Sequence, residues 1–268
     1  MLKNEGDRLI RAAVCSPSSE YFRVDDLRAH NIREVANQEL AGTQHAALCA
    51  LLANRGAEVI DIGECPGHPN SVSTRDMAVG APDGYIRASM GIPTRVGEDR
   101  WMADALDRLG EPCAGDIRLP GTLEGGDVVL AGKVAFIGLT RRTNAEGIRQ
   151  LTALFDKMGV EVRVVELPEA YLHLDQVVGI LSPDKLMVCR NVFAAGLFRG
   201  YQTVLMPCQS HNVNFICLGP DEIIVPSSNV PLIEAAEKNG VLAHSLDLSE
   251  FAKGTGGPNC LIMPIERR

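Results

Sequence analysis

The chain has 268 residues, of which 46% are hydrophobic, 22% charged and 4% aromatic, with a formal net charge of −8. These values exclude a disordered, collagen-like or disulfide-knotted chain and leave room for a large buried core. No Lys/Arg-rich run interrupts the acidity, which argues against a nucleic-acid partner, and no stretch reaches the roughly 18–20 apolar residues of a membrane span.

The first residues, MLKNEGDRLIRAAV, lack the apolar core of a signal peptide. The eight cysteines lie mostly in apolar strings, as at Cys15, Cys49, Cys189 and Cys217. They read as free, small core residues in a reducing compartment, so a cytoplasmic protein is expected. There is no CxxC pair, and the spacing of Cys208, His211 and Cys217 fits no zinc template, so no metal is expected.

Along the chain one unit recurs. HAALCALLANRGAEVIDI, from His45, carries a helical stripe, a glycine and then a strand pattern. The same layout returns in WMADALDRLGEPCAGDI from Trp101, IRQLTALFDKMGVEVRVVEL from Ile148 and PLIEAAEKNGVLAHSLDL from Pro231. Gly56, Gly159 and Gly240 stand where a helix C-cap is expected. Between these segments lie tight turns flanked by apolar runs: APDG at Ala81–Gly84, LAGK at Leu130–Lys133, SPDK at Ser182–Lys185 and GPDE at Gly219–Glu222. Each reads as a hairpin. The turns recur first at about fifty residues and then at a shorter interval, a period typical of propellers and solenoids. The expected fold is therefore α/β, a single domain over residues 1–268 built as a ring of repeats. The first strand of each unit would line a central pore. An α/β sandwich of similar-looking units is the alternative.

Five stretches break the apolar pattern. NSVSTRD, from Asn70, ends on Asp76 just before a strand; an aspartate there commonly bonds its own backbone. EGGD, Glu124–Asp127, puts two carboxylates around two glycines at the entry of a buried strand, where glycine implies a close backbone approach. HLD, His173–Asp175, would aim histidine and carboxylate at one side of a strand, a pairing suited to acid–base chemistry, although such pairs are often structural. GTGGPNC, ending at Cys260, is a glycine-rich loop that would deliver an exposed, reactive cysteine. Arg95 and Arg142 read either as surface charges or as bidentate carboxylate binders.

Taken in order, Asn-x5-Asp, an Arg nineteen residues after that Asp, EGGD, an Arg-Thr eighteen residues after the Glu, HLD and a terminal GGP-x-C resemble the guanidino-group-modifying enzymes. That superfamily contains arginine deiminases, dimethylarginine dimethylaminohydrolases and arginine amidinotransferases. The resemblance runs through nearly the whole chain and implies a five-bladed α/β propeller, the pentein fold. It implies Cys260 as nucleophile, His173 as general acid and base and Glu124 as the carboxylate that holds the histidine. It implies Asp76 and Asp175 as the pair gripping a guanidinium. Arg95 and Arg142, with Asn70 beside them, would bind the α-carboxylate of an amino-acid substrate. Asp127 completes the EGGD signature and is grouped with the substrate-binding residues, a structural role being the alternative. No metal or organic cofactor is implied.

In length the chain resembles the short dimethylarginine enzymes, without the helical insertion of the deiminases. In residues it resembles the deiminases, through Asn70, the Asp that follows His-Leu, and GGP-x-C. Asn259 departs from the arginine that deiminases commonly carry before the cysteine. The implied activity is hydrolysis of a guanidino C–N bond of arginine or a derivative, giving citrulline with ammonia or an amine through a covalent S-alkylthiouronium. A methylated substrate, transfer to an amine, and ureido hydrolysis of citrulline are the alternatives. A catalytically silent ligand sensor and a scaffold protein are the readings from other classes. The expected partner is a small guanidino molecule; exposed outer helices would also suit a homodimer.

Overall fold

The computed structural model describes residues 1–190, 192–194, 196–208 and 212–268. His211 of the Cys208, His211, Cys217 trio lies outside them. Leu9–Val14 (β1) is followed by Gln38–Asn54 (α1) and Glu58–Asp61 (β2). Ala78–Ala81 (β3) and Gly84–Arg87 (β4) form a hairpin on the APDG turn and lead through Glu98–Arg108 (α2) to Cys113–Asp116 (β5). Val128–Ala131 (β6), Val134–Leu139 (β7), Ala145–Lys157 (α3) and Glu161–Glu166 (β8) repeat this on the LAGK turn. Val178–Ser182 (β9), Lys185–Cys189 (β10) and Gln202–Met206 (β11) do so on SPDK without a connecting helix. Ile216–Gly219 (β12), Glu222–Pro226 (β13), Val230–Lys238 (α4) and Leu242–Leu246 (β14) follow on GPDE, and Ser249–Lys253 (α5) precedes Met263–Arg267 (β15).

The strands make five three-stranded mixed sheets, in the orders β15-β1-β2, β3-β4-β5, β6-β7-β8, β11-β10-β9 and β12-β13-β14. In each, the middle strand is antiparallel to one neighbour (β15, β3, β6, β9 or β12) and parallel to the other (β2, β5, β8, β11 or β14). A parallel neighbour needs a crossover, which α1, α2, α3 and α4 supply in four of the sheets. Asn37, Asn144 and Asn229 start α1, α3 and α4 by accepting a bond from the first turn. Gly56, Gly159 and Gly240 end α1, α3 and α4 at positive φ. Gly110 does the same for α2 (φ 78°), so the fourth helix–strand segment carries the cap too.

The hairpin that no turn announced is β15 with β1, which pairs the two chain ends. Neighbouring sheets touch in sequence: β15 packs on β3, β6 on β9, β9 on β12 and β12 on β1, while Ser89 bridges to Leu123 between the second and third sheets. The N-terminal residues then strap the turn ends. Leu2 N donates to Ala81 O, Glu5 N to Leu130 O, Asn4 Nδ2 to Pro183 O and Arg8 N to Arg268 O. Glu5 also accepts from Arg75 at 2.7 Å.

Two expectations need correcting. Cys189 and Cys208 are joined in a disulfide, the end of β10 lying beside the end of β11, so these two are not free core thiols. Apolar surroundings in the sequence do not distinguish a buried thiol from a buried half-cystine. The other six cysteines are free. Among the described residues no helix is long and apolar enough to cross a membrane.

Candidate active site

The polar residues sit just ahead of strands, in or beside short 3-10 turns; for His173 and Asp175, expected on a strand, this is a correction. Asp76 is in the turn Thr74–Met77 before β3, and Glu124 precedes Gly125–Asp127 before β6. His173 precedes Leu174–Gln176 before β9, and Cys260 is in Pro258–Leu261 before β15. His173 and Asp175 therefore meet in one pocket because a turn re-aims them, not because strand alternation puts them on one face. The two glycines of EGGD are there for space. A methyl on Gly126 would stand 2.8 Å from His173 Nδ1 and 2.9 Å from Asp76 Oδ1, closer than carbon can approach.

One buried pocket is lined by Asp76, Arg95, Arg142, His173, Asp175 and Cys260, with Asn70 among its further walls. It encloses about 20 Å3, room for about one water. His173 Nε2 lies 2.8 Å from Glu124 Oε2, and His173 Nδ1 lies 3.8 Å from Asp76 Oδ1. Glu124 is fully buried and also accepts from Arg142 Nη1 at 3.0 and 3.1 Å and from Gly91 N at 3.0 Å. Burial alone would raise the pKa of Glu124, but the His173 hydrogen bond and the charges of Arg95 and Arg142 hold it well below the usual range. Burial alone would lower the pKa of His173, but Asp76, Asp127 and Glu124 outweigh it and lift the imidazole to about 10.

Cys260 is not the exposed thiol expected of a glycine-rich loop. It is 8% exposed, because the 3-10 turn folds it inward. Its Sγ accepts from Gly257 N at 3.4 Å and Asn214 Nδ2 at 3.7 Å. Burial and the nearby carboxylates Asp175 and Asp76 push its pKa well up. Asp175 Oδ2 accepts from Asn259 Nδ2 at 3.0 Å, and its own pKa is raised by burial. Among the described residues, Asp76 Oδ1 and Asp175 Oδ1 are both buried and find no hydrogen-bond partner.

Arg95 and Arg142 are buried, which rules out the surface reading. Their carboxylate partners are the protein's own. Arg95 Nη1 donates to Asp76 Oδ2 at 2.6 Å and Arg95 Nε to Glu98 Oε2 at 2.7 Å, while Arg142 is spent on Glu124. Asp76 thus bonds a side chain nineteen residues on, not its own backbone. Asn70 faces the loop between β1 and α1: its Nδ2 donates to His30 O, and its Oδ1 lies 3.1 Å from His30 Nδ1. That loop lines the pocket through His30 and Asn31, with Asn31 Nδ2 donating to Thr255 Oγ1 and Thr255 Oγ1 donating to Asn31 O. Asp76, Glu124 and His173 offer atoms within 4.8 Å of one another, a spacing a metal ion could use. Arg95, Arg142 and the His173–Glu124 contact already engage them.

Asp127 stands apart from the residues that line the pocket. It is fully buried, outside the pocket wall. Its oxygens accept from Thr140 Oγ1 and Thr143 Oγ1 at 2.7 Å each and from Leu174 N at 3.0 Å. Burial raises its pKa to about 7 against those bonds. It pins the turn that carries His173. Asp127→Ala should therefore lower the melting temperature by several degrees, since each orphaned buried group costs about 1–3 kcal/mol. KM should stay near the wild-type value. A raised KM at an unchanged melting temperature would restore the substrate-contact reading.

Three neighbours were missed in the sequence. Asn214 bonds Cys260 Sγ and accepts from Asn259 N at 2.9 Å. It stands two residues before β12, the strand-entry place that Asp76 holds before β3. Asn259 had been noted only as a departure. Glu98, three residues after Arg95, had a helical-spacing signal; burial, against the pull of Arg95, raises its pKa to about 7.

The family model for arginine deiminase matches residues 64–205. The chain belongs to that family. These guanidino-group-modifying enzymes include a dimethylarginine dimethylaminohydrolase of Streptomyces coelicolor, 28% identical over 94% of this chain and 95% of its own length. An arginine deiminase of Listeria monocytogenes is 26% identical over 74% of this chain and 62% of its own length. In fold, the dimethylarginine dimethylaminohydrolase of Pseudomonas aeruginosa, solved with citrulline, superposes with a TM-score of 0.83 at 23% identity, covering 96% of this chain and 99% of that one. The family resemblance seen in the motifs is thus upheld, as is the α/β fold of small mixed sheets.

Proposed function

We propose that the chain hydrolyses a guanidino C–N bond of arginine or a close derivative, with Cys260 as nucleophile. We infer too that its five sheets, each packed on the next, form a single five-bladed propeller whose pore holds the site. The observation that carries the activity is the pair of partnerless buried oxygens, Asp76 Oδ1 and Asp175 Oδ1, on the pocket that contains Cys260. Burying an unpaired carboxylate oxygen is costly, and a guanidinium brings planar, cationic donors that fit two of them.

Guanidinium carbon is a poor electrophile, so orientation by two carboxylates lowers the entropic share of the barrier. The bound cation offsets the charges of Asp76 and Asp175, which otherwise raise the Cys260 pKa, and so favours the thiolate. Sγ attacks the central carbon. The C–N bond breaks as the His173 imidazolium, its Nε2 held by Glu124, gives a proton from Nδ1 to the departing amine. Water then attacks the S-alkylthiouronium and loses a proton to His173; the C–S bond breaks and the thiolate returns. The implied roles of Arg95 and Arg142 on an α-carboxylate require both to leave Asp76 and Glu124. A pocket of one-water size likewise requires the loop at His30 and Asn31 to give way on entry.

An unmethylated guanidine supplies donors to both aspartates, and each methyl removes one, which supports arginine itself. The near-complete coverage of the Streptomyces enzyme supports a methylated arginine as the second reading. Product analysis decides. Arginine, asymmetric dimethylarginine, agmatine and citrulline are each incubated with and without an amine acceptor. Citrulline and ammonia from arginine are expected. Dimethylamine as the faster product selects the second reading, and an amidino group transferred to the acceptor overturns hydrolysis.

A further inference from the structure

Arg141 and Arg142 are adjacent, yet they part company. Arg142 turns inward to Glu124, while Arg141 is exposed on a groove of about 380 Å3. Arg28 and Arg33, from the loop between β1 and α1, line the same groove and are exposed as well. The groove adjoins the active-site pocket, sharing Asn31, Leu172, Gln176 and Thr255 with it. No carboxylate lines the groove, and none of the ion pairs among the described residues involves these three arginines. Three like charges drawn together on a chain of net charge −8 repel one another unless an anion joins them. The inner cations, Arg95 and Arg142, are already committed to Asp76, Glu98 and Glu124.

We propose that this groove is a second subsite, built for an anionic group that the guanidino substrate carries beyond its α-carbon, so that the preferred substrate is an arginine bearing an extra carboxylate on its α-amino substituent. The inference rests on the guanidino reading of the inner pocket and adds its outer half. A guanidinium seated between Asp76 and Asp175 points its tail out past Asn31 and Thr255, two of the four residues common to both cavities. Exposed arginines give a carboxylate modest affinity but strong discrimination between charges.

The test is a charge series of equal reach: aspartyl-arginine, alanyl-arginine and lysyl-arginine. Aspartyl-arginine should exceed alanyl-arginine in kcat/KM by roughly tenfold, with lysyl-arginine lowest. The preference should shrink in raised salt. In Arg28→Gln/Arg33→Gln/Arg141→Gln it should vanish, while kcat on arginine itself is unchanged. Equal kcat/KM across the series, or a preference that survives the triple substitution, overturns the subsite. Calorimetric binding of the same peptides to Cys260→Ser separates the two claims. The expected affinity order without any wild-type turnover overturns the hydrolase reading and upholds the groove. Turnover of arginine with no affinity order does the reverse.

Discussion

Cys260→Ser should abolish turnover, lowering kcat by about 10⁴ or more, with the fold intact. Among the described residues the sulfur makes two long hydrogen bonds, to Gly257 N at 3.4 Å and Asn214 Nδ2 at 3.7 Å, and a hydroxyl can keep both. Melting should therefore change little. The hydroxyl has a far higher pKa than a thiol, so even a bound guanidinium cannot make it an anion near neutral pH. The experiment measures citrulline and released amine against a thermal scan of the same sample. Undiminished turnover would remove Cys260 from the mechanism. In the ligand-free wild type, alkylation by iodoacetamide should be slow at pH 7 and rise well into the alkaline range, because burial and the carboxylates Asp175 and Asp76 hold the thiol protonated.

Glu124→Gln should cost about 10²–10⁴ in kcat, the usual size of an acid–base contribution. Glu124 is one of the negative groups that lift His173 to about 10. Without that charge the imidazole loses its proton at lower pH, so the alkaline limb of kcat/KM must move down, not up. The substitution also leaves Arg142 buried opposite a neutral amide. Breaking a buried pair in this way costs about 3–5 kcal/mol, so melting should fall too. The pH profile separates the two effects, since loss of stability alone lowers activity without moving the limb. An unmoved limb would assign Glu124 to the arginines and not to His173.

Much of this was legible in the chain because a tight turn and a helix C-cap leave local chemistry behind. APDG, LAGK, SPDK and GPDE each became a hairpin, and the four helix–strand segments became α1–β2, α2–β5, α3–β8 and α4–β14. The β15–β1 pair left no such trace, since its two strands lie at opposite ends of the chain and share no turn. The Cys189–Cys208 bond was hidden for a related reason: pairing β10 with β11 brings its halves together, and local composition carries no record of it. In the site, residue types and spacings identified which side chains would gather. They could not reveal where Arg95 and Arg142 would spend their charges. That depends on Asp76, Glu98 and Glu124 being buried beside them.

In the proposed propeller, the strap of N-terminal residues across the turn ends would make the pore a blind alley. Leu2, Asn4, Glu5 and Arg8 tie down the far side, where Glu5 and Arg267 wall a second cavity of about 20 Å3 beneath Asp175 and Asn259. In the proposed reaction, traffic would then share the doorway at His30 and Asn31. The first amine would depart past them before a water, or a competing amine, came in by the same route, and whatever crowded it would slow both halves of the reaction together.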